Sequence, residues 1–414
     1  MANTFNTVKD APGIIVKAAA KMFADELQFT KSISKADPED YKGKNGYSAG
    51  DTIFISKPAR FIPQQTFDIT GTQQDIVEEK VSLVLDVIQT IGVNIDSQQF
   101  ASEIQVKNVI KRVVKPAISA IAQLVEQTFL ERMTDATFNS VGTAGTTVFG
   151  VDTILAAKEK MGKTLTPKDD MRYFLHDATA SRSAVNARKG LFQSSSDIAK
   201  QYKMGYVGTA DGYHWMENEL LNTHTLGNDV TGVAIQTTVV TPATGATTIG
   251  VDGLATTTGT VTKGSVFTIA TVNAVHPITK KDLGFLQQFV VTADATANGS
   301  GEATLSISPS IESTADGLQN VSALHADSDA LIFVGVASTA YNQSLAFHHN
   351  AFRCVSVPLI MPKNAEFAAQ ETVDGITVAI IRDFDINTRK MITRIDFLGG
   401  ITAERPEWAC RITS

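Results

Sequence analysis

The chain has 414 residues, of which 43% are apolar and 19% charged, and its formal net charge is −7. This length predicts two or three domains, and the apolar fraction is ample for packed cores, which excludes a disordered protein. The acidic balance argues against a dedicated nucleic-acid-binding protein, because such a protein needs a basic face to release phosphate counterions.

Two cysteines, Cys354 and Cys410, are too few for a disulfide framework and wrongly spaced for a zinc site. Both lie in apolar, strand-like surroundings, so we expect buried free thiols. No apolar run approaches the roughly 20 residues that span a bilayer, and the N-terminus lacks a secretory pattern. We therefore expect a protein that is made and kept in a reducing cytoplasm.

The N-terminal region predicts a short amphipathic helix over 13–28, after the Pro12-Gly13 break. Its apolar residues stand near helical spacing: Ile15, Ala19, Met22, Phe23 and Leu27. The polar segment 31–50 then separates this helix from the rest of the chain. We expect an arm that cannot bury its apolar stripe alone and packs against neighbouring copies.

An extended hairpin is predicted next. The segments 51–57 and 81–88 have the composition of strands, and the polar stretch 62–76 lies between them. A small core cannot cover strands of this length completely, so we expect the hairpin to lie on something else.

Helices dominate the following region. Residues 97–115 look helical, and Pro116 begins a second helix that reaches about Phe138. An apolar stripe runs along this second helix, with polar residues mostly off it. The stripe consists of Ile118, Ile121, Ala122, Val125, Phe129 and Met133, and the polar set of Gln123, Glu126, Gln127 and Glu131.

Three shorter elements follow. A helix over 151–161 is predicted to end at Gly162, and Met171–His176 is a candidate buried strand. Asp177 can cap a further helix that stops at Gly190.

The composition changes sharply near residue 225. Twelve threonines lie between Thr231 and Thr262, and the only lysines from Asp229 to Asn342 are Lys263, Lys280 and Lys281, with no arginine. Short β-branched runs alternate with Gly, Asn and Asp turns, which predicts a small barrel or sandwich inserted into another domain. The predicted strands are Gly232–Val240, Ser265–Val272, Gln287–Thr292, Ala303–Ile307 and Ala330–Val336.

Two long strands, Gly375–Arg382 and Lys390–Leu398, close the chain around a turn at Asp383–Thr388. Asp383 and Asp385 are interpreted as stabilising that turn, rather than as forming a carboxylate site with Asp396.

Two further motifs contain residue types that can take part in chemistry. Met161-Gly162-Lys163-Thr164 has the end of a phosphate-binding loop, but Ala157 stands where the first glycine is required, and a helix precedes it. The pair His348-His349 has no nearby ligand at metal-site spacing, and adjacent strand residues point to opposite faces. We predict no catalytic, cofactor or metal site, and no enzyme.

The order of these pieces resembles a tailed-bacteriophage major capsid (coat) protein with the HK97-type fold, closest to the P22-like coat proteins that carry an inserted domain. The segments that carry the resemblance are Tyr206–Thr225, Phe347–Phe352, Arg382–Ile386, Arg394–Gly400 and Arg405–Ile412.

The resemblance implies an α+β phage capsid fold with an inserted all-β domain. Its expected parts are an N-terminal arm (1–48), an extended loop (49–95), a peripheral domain with a spine helix (96–145 and 375–400), an axial domain (146–223, 343–374 and 401–414) and an inserted β-barrel-like domain (224–342).

The implied function is self-assembly into the icosahedral shell of a double-stranded DNA phage. The implied partners are other copies in hexamers and pentamers, a scaffolding protein and a portal, with only weak non-specific contact to packaged DNA and none to a membrane. Assembly is expected in the host cytoplasm, from which the capsid becomes part of the virion. The alternative is a secreted β-rich adhesin or surface-layer protein, which the Thr-rich middle favours.

Overall fold

A computed structural model describes residues 11–35, 47–58, 61, 67–68, 70, 73, 76, 79–96, 115–145, 150–188, 208–314, 317–386 and 390–414. The predicted helix at 97–115 lies outside these residues except for its last position. The helices are α1 (Ala11–Glu26), α2 (Gln28–Ser32), α3 (Lys115–Ala136), α4 (Val151–Lys163) and α5 (Ala178–Arg188).

The strands are β1 (Ser34–Lys35), β2 (Thr52–Ser56), β3 (Lys80–Val84), β4 (Val87–Asp96), β5 (Ser140–Val141), β6 (Arg172–His176), β7 (Thr209–Ala210), β8 (Tyr213–Glu217), β9 (Thr223–Thr225), β10 (Ala234–Ile235), β11 (Ala246–Asp252), β12 (Thr260–Val261), β13 (Val266–Val275), β14 (Asp282–Val291), β15 (Ala295–Thr296), β16 (Ala303–Ile311), β17 (Leu331–Phe333), β18 (Ala340–His348), β19 (Phe352–Ser356), β20 (Phe367–Val373), β21 (Ile376–Asp385), β22 (Lys390–Ala403) and β23 (Ala409–Thr413).

The chain divides into two compact units. The first comprises Met1–Ile55, Val81–Phe129 and Arg353–Thr402. The second comprises Ser56–Lys80, Leu130–Phe352 and Ala403–Ser414.

The first unit is built on a sheet in the order β1-β19-β22-β21-β20, with β4 also paired to β22. The N-terminal helix packs into this unit, with Ala20, Phe23 and Ala24 fully buried. The Phe23 ring stacks on Phe397 of β22 with centroids 5.4 Å apart. The sequence predicts an N-terminal arm that cannot bury its apolar stripe within its own subunit. For α1 this prediction is wrong, because the polar segment that follows does not prevent the helix from packing against the sheet of its own chain.

The helix α3 confirms the predicted apolar stripe. Its buried side chains include Ile118, Ile121, Ala122, Val125, Phe129 and Met133. Glu126, however, is only 1% exposed, which corrects its interpretation as a residue off the stripe. Glu126 is buried because it forms hydrogen bonds with residues distant in the sequence, and helical spacing does not reveal such partners.

The predicted hairpin is present as the paired strands β2 and β3. The predicted strand 81–88 is interrupted, because β3 ends at Val84 and β4 begins at Val87. The strand β4 then runs antiparallel to β22, with Ile88 opposite Leu398 and Asp96 opposite Lys390.

In the second unit, a sheet in the order β5-β23-β18-β6-β8-β7 carries α4 and α5. Gly162 does not end α4, which continues to Lys163. Asp177 caps α5 as predicted, since its Oδ1 accepts a hydrogen bond from the backbone N–H of Ala180 at 2.8 Å.

The Thr-rich segment forms a barrel whose strands follow the order β10-β11-β16-β14-β13-β17. An antiparallel bridge between Ala234 and Ala330 joins the two ends of this order. The buried residues of its core all lie between Leu226 and Tyr341. The two ends of the segment meet, because Thr223–Thr225 of β9 pair with Ala340–Asn342 of β18.

The strand boundaries within this barrel differ from the predicted ones. The predicted strand Gly232–Val240 is reduced to Ala234–Ile235, and β11 occupies a segment where no strand was predicted. Gly250 belongs in β11 because a Cβ there would lie 2.6 Å from the carbonyl oxygen of Gln236. From the sequence alone, a glycine that lets two backbone segments approach closely cannot be distinguished from a glycine in a turn.

The closing strands are longer than predicted. Asp383 and Asp385 lie within β21, opposite Ile392 and Lys390 of β22, so the turn does not begin at Asp383. The two strands remain paired beyond the apolar core, so residues at their outer ends can be polar.

Candidate functional site

In the structure, residues of both candidate chemical motifs form contacts with other groups of the protein. Lys163 pairs with Glu159 at 2.7 Å, and the Thr164 hydroxyl donates a hydrogen bond to the carbonyl oxygen of Glu407 at 2.8 Å. This segment ends a helix, whereas a phosphate-binding loop begins one. It therefore lacks the backbone N–H groups that would face a phosphate.

His348 is buried at the end of β18, and its Nε2 lies 3.0 Å from Oδ1 of Asp169. Burial lowers the pKa of His348, although the hydrogen bond and charge of Asp169 oppose that shift. Within the part of the chain that the structure describes, no group of three or more His, Cys, Asp or Glu side chains could hold a metal ion. His348 is thus held by a structural contact with Asp169, and His349 beside it is only half-buried.

Two of the three aspartates of the closing strands, Asp383 and Asp396, accept hydrogen bonds from neighbouring groups. Asp396 is 4% exposed, and it accepts hydrogen bonds from the Thr90 hydroxyl at 2.8 Å and from Nε of Arg394 at 2.7 Å. Asp383 bonds the neighbouring backbone N–H of Phe384 at 2.8 Å. These two carboxylates are engaged with neighbouring protein groups.

Cys354 and Cys410 are both free and buried. Burial raises the pKa of Cys354 to about 12 and that of Cys410 to about 11. Thiols in this state react poorly, because the thiolate is the reactive form.

The segment 49–95 carries a concentration of exposed large apolar side chains among the described residues. Its exposed large apolar side chains are Phe54, Phe61, Phe67, Ile76, Val84 and Ile88. Scattered exposed apolar residues are normal in proteins, but a concentration of them marks an interaction surface.

The hairpin has two different faces. Burial alternates along β2 and from Ser82 to Ile88, as expected for strands with one covered face. Ile53, Ile55 and Leu83 are buried in a cluster with Val355 and Leu398. On the opposite face Phe54 is 62% exposed and Val84 40%, and Ile88 at the start of β4 is 52% exposed. The covered face anchors the hairpin, and the other face is exposed to solvent.

Sequence reasoning missed a buried anchor for the N-terminal region. The Glu126 carboxylate accepts hydrogen bonds from the backbone N–H of Phe29 at 2.5 Å and from the Thr30 hydroxyl at 3.1 Å. Burial raises the pKa of Glu126, and these hydrogen bonds oppose the shift. Only the position of α2 next to α3 makes this contact possible, so helical periodicity carries no signal for it.

No helix among the described residues is long and apolar enough to cross a membrane. No curated protein matches the chain.

Several solved structures resemble it over most of its length. Mycobacterium phage Che8 is 12% identical, with 94% of this chain and 90% of that chain covered and a TM-score of 0.43. The capsid of Ralstonia phage GP4 is 8% identical, with 92% and 91% covered and a TM-score of 0.44. The capsid structure of the cyanophage P-SCSP1u is 14% identical, with 92% and 88% covered and a TM-score of 0.40.

The decisive comparison is with protein families. The model described as "P22 coat protein - gene protein 5" matches residues 1–411, which is nearly the whole chain. That match confirms the resemblance to the coat proteins and the α+β capsid fold. It favours the capsid function over the alternative of an adhesin or surface-layer protein. The chain belongs to the P22 coat protein family, and it is a major capsid protein of a tailed bacteriophage.

Proposed function

We propose that this capsid protein builds its shell by covering the exposed face of the extended loop, residues 49–95, with a neighbouring copy. The observation that carries the proposal is the exposed apolar surface of the hairpin and of the start of β4, defined by Phe54, Val84 and Ile88. All three side chains are substantially exposed on strands whose other face is buried.

The physical argument is the burial of apolar surface. Fully burying a side chain the size of Val, Ile or Phe stabilises a complex by about 1.5–3 kcal/mol. At each contact, three partly exposed side chains contribute only a fraction of that free energy of burial. A closed shell repeats the contact many times. Weak individual contacts therefore suffice for a stable particle.

The architecture of the hairpin supports the same conclusion. Two strands alone are marginally stable in water, and the described hairpin has only β2 and β3 in its sheet. The pair of Lys57 and Glu79, 3.7 Å apart, lies just beyond these strands and contributes little at a surface. A neighbouring copy would supply the missing cover.

The remaining parts of the proposal follow the plan of the capsid family. The proposed divisions are an arm (1–48), a peripheral domain (96–145 and 375–400), an axial domain (146–223, 343–374 and 401–414) and an inserted barrel (224–342). The shell would be made of hexamers and pentamers, with scaffolding and portal proteins as partners during assembly in the host cytoplasm. The net charge of −7 suits a container that holds DNA only weakly.

The test is the substitution Phe54→Asp in the full chain. We expect a folded subunit that fails to form shells, because the new charge would have to be buried at the contact. Ile332→Asp is the matched control, since Ile332 is a similarly exposed apolar residue on the barrel, at 57%. Electron microscopy and thermal unfolding give the two readouts.

Regular shells from Phe54→Asp would overturn the proposal. Loss of shells in both variants would also count against it, because the hairpin would then have no special role.

A further inference from the structure

The strand β5 lies at one edge of the sheet β5-β23-β18-β6-β8-β7, and no strand of the described residues pairs with its outer side. Arg411 of β23 lies opposite Ser140 in the parallel register, and its backbone N–H donates to the carbonyl oxygen of Asn139 at 2.8 Å. Because backbone groups alternate in direction along a strand, the N–H and C=O of Ser140 point away from β23. These two groups need partners from outside the sheet.

One side chain of the inserted barrel meets both groups. Oε1 of Gln288, on β14, accepts a hydrogen bond from the backbone N–H of Ser140 at 2.7 Å. Nε2 of Gln288 donates to the carbonyl oxygen of Ser140 at 3.0 Å. A residue of an added antiparallel strand would form the same pair of hydrogen bonds. Because β5 has only two residues, one carboxamide is enough to take the place of a neighbouring strand.

A lysine of α4 reinforces this contact. Nζ of Lys160 donates to the carbonyl oxygen of Ser140 at 3.2 Å and also to Oε1 of Gln288. The same ammonium lies 5.9 Å from the ring centroid of Phe285, which β14 also supplies. Lysine side chains placed on an edge strand are one of the means by which proteins prevent pairing with another chain.

Apolar packing covers the same edge. Phe138, two residues before Ser140, forms a buried cluster with Val266 of β13 and Val290 of β14. Phe138 and Ser140 are each only 5% exposed. A strand from a second chain would therefore have to displace the barrel before it could pair with β5.

We propose that Gln288, supported by Lys160, closes the edge of this sheet, so that the inserted barrel guards the subunit against strand pairing between copies. Uncovered edge strands are templates for aggregation, and a protein that gathers many copies of itself meets this risk repeatedly. The guard is separate from the extended-loop contact proposed above, which joins copies in the shell. Without the carboxamide, the backbone groups of Ser140 are satisfied only when β5 opens to water or to another chain.

The test compares wild type with Gln288→Leu, which has a side chain of similar size and no carboxamide. The first measurement is hydrogen exchange of the Ser140 amide in the soluble full chain. We expect exchange at Ser140 to become roughly tenfold faster, the order of effect for one lost hydrogen bond. The second measurement is the fraction of the protein in irregular aggregates rather than closed shells, by sedimentation and electron microscopy. This fraction should rise several-fold in the variant.

The matched control is Gln236→Leu. Gln236 is also a half-buried glutamine of the barrel, but its Nε2 donates to Oδ2 of Asp252 at 3.2 Å, within the barrel. This variant should keep the Ser140 exchange rate and the aggregated fraction of wild type. Gln288→Asn keeps a carboxamide on a shorter side chain that cannot hold both groups of Ser140. It should behave like Gln288→Leu, and it provides the comparison if the leucine variant does not fold.

Unchanged exchange at Ser140 in a folded Gln288 variant would overturn the proposal, because the carboxamide would then not be closing the edge. Faster exchange without more irregular aggregates would overturn the guarding role. An equal rise in aggregates from Gln236→Leu would do so as well, since any weakening of the barrel would then have the same effect.

Discussion

Single residues on α3 show how strongly one position can control this subunit. Phe129 is 1% exposed and contacts Phe397 edge to face, with centroids 6.4 Å apart. We predict that Phe129→Asp abolishes soluble folded protein, because an unpaired buried carboxylate costs several kcal/mol, comparable to the whole stability of a domain. Soluble yield and the melting transition provide the measurement.

Leu124→Asp is the control, since Leu124 is 47% exposed on the same helix. It should leave both readouts close to wild type. An unchanged melting transition in Phe129→Asp would mean that the buried face of α3 has been misidentified.

Glu126 is a residue-scale test of the anchor between α2 and α3. We predict that Glu126→Ala destabilises the chain by roughly 2–3 kcal/mol, because it leaves buried donors of Phe29 and Thr30 without their acceptor. Faster proteolysis near residues 28–35 should accompany the loss, as measured by limited digestion and mass spectrometry.

Glu131→Ala removes an exposed carboxylate five residues further along and should change the unfolding free energy by less than about 0.5 kcal/mol. Equal losses in the two variants would show that the anchor between α2 and α3 is not responsible.

At the scale of elements, the barrel offers the clearest test of independence. Its core closes within residues 226–341, and its ends are paired through β9 and β18. We predict that 224–342 expressed alone gives a soluble, cooperatively folding β-domain, since its length is in the range that folds independently. A heteronuclear NMR spectrum with well-dispersed amide peaks is the expected result.

One feature of the barrel works against its isolation. Val266 and Val290 are buried against Phe138, which lies outside the fragment. The fragment would expose these two valines, so a variant with both changed to Thr should be more soluble and equally well folded. Collapsed spectra from both fragments would show that the barrel is an elaboration of the larger core.

At the scale of the whole molecule, α1 and α2 determine what a truncation does. An N-terminal arm that packed only against neighbouring copies could lose residues 2–30 and still leave a folded subunit. The burial of Phe23, Leu27 and Phe29, each at most 1% exposed, leads to the opposite expectation. Deletion of 2–30 should cost the fold itself, because it empties part of the core under the sheet.

Circular dichroism and size-exclusion chromatography measure this outcome. A chain that lacks only residues 2–10 keeps the three buried side chains and serves as the control. A 2–30 deletion that folds but does not assemble would contradict this prediction, because α1 and α2 would then serve as an arm for neighbouring copies.

Local patterns in the sequence were sufficient for much of this fold. The apolar spacing of α3, the hairpin, the cap at Asp177 and the closed β-rich segment all depend on residues a few positions apart, where side-chain period and turn chemistry act directly. The order of these elements also resembled a family, which the comparison confirmed. The exposed face of the hairpin follows from the same alternation of side chains.

The tertiary structure alone decided the rest. Glu126 meets Phe29 across 97 residues, and Arg411 meets Gly264 across 147. Whether a polar side chain is solvated or buried depends on the hydrogen-bond partner that the fold brings to it. The spacing of residues along one helix or strand does not encode that partner. The same is true of α1, whose apolar stripe is explicit in the sequence but whose covering sheet is not.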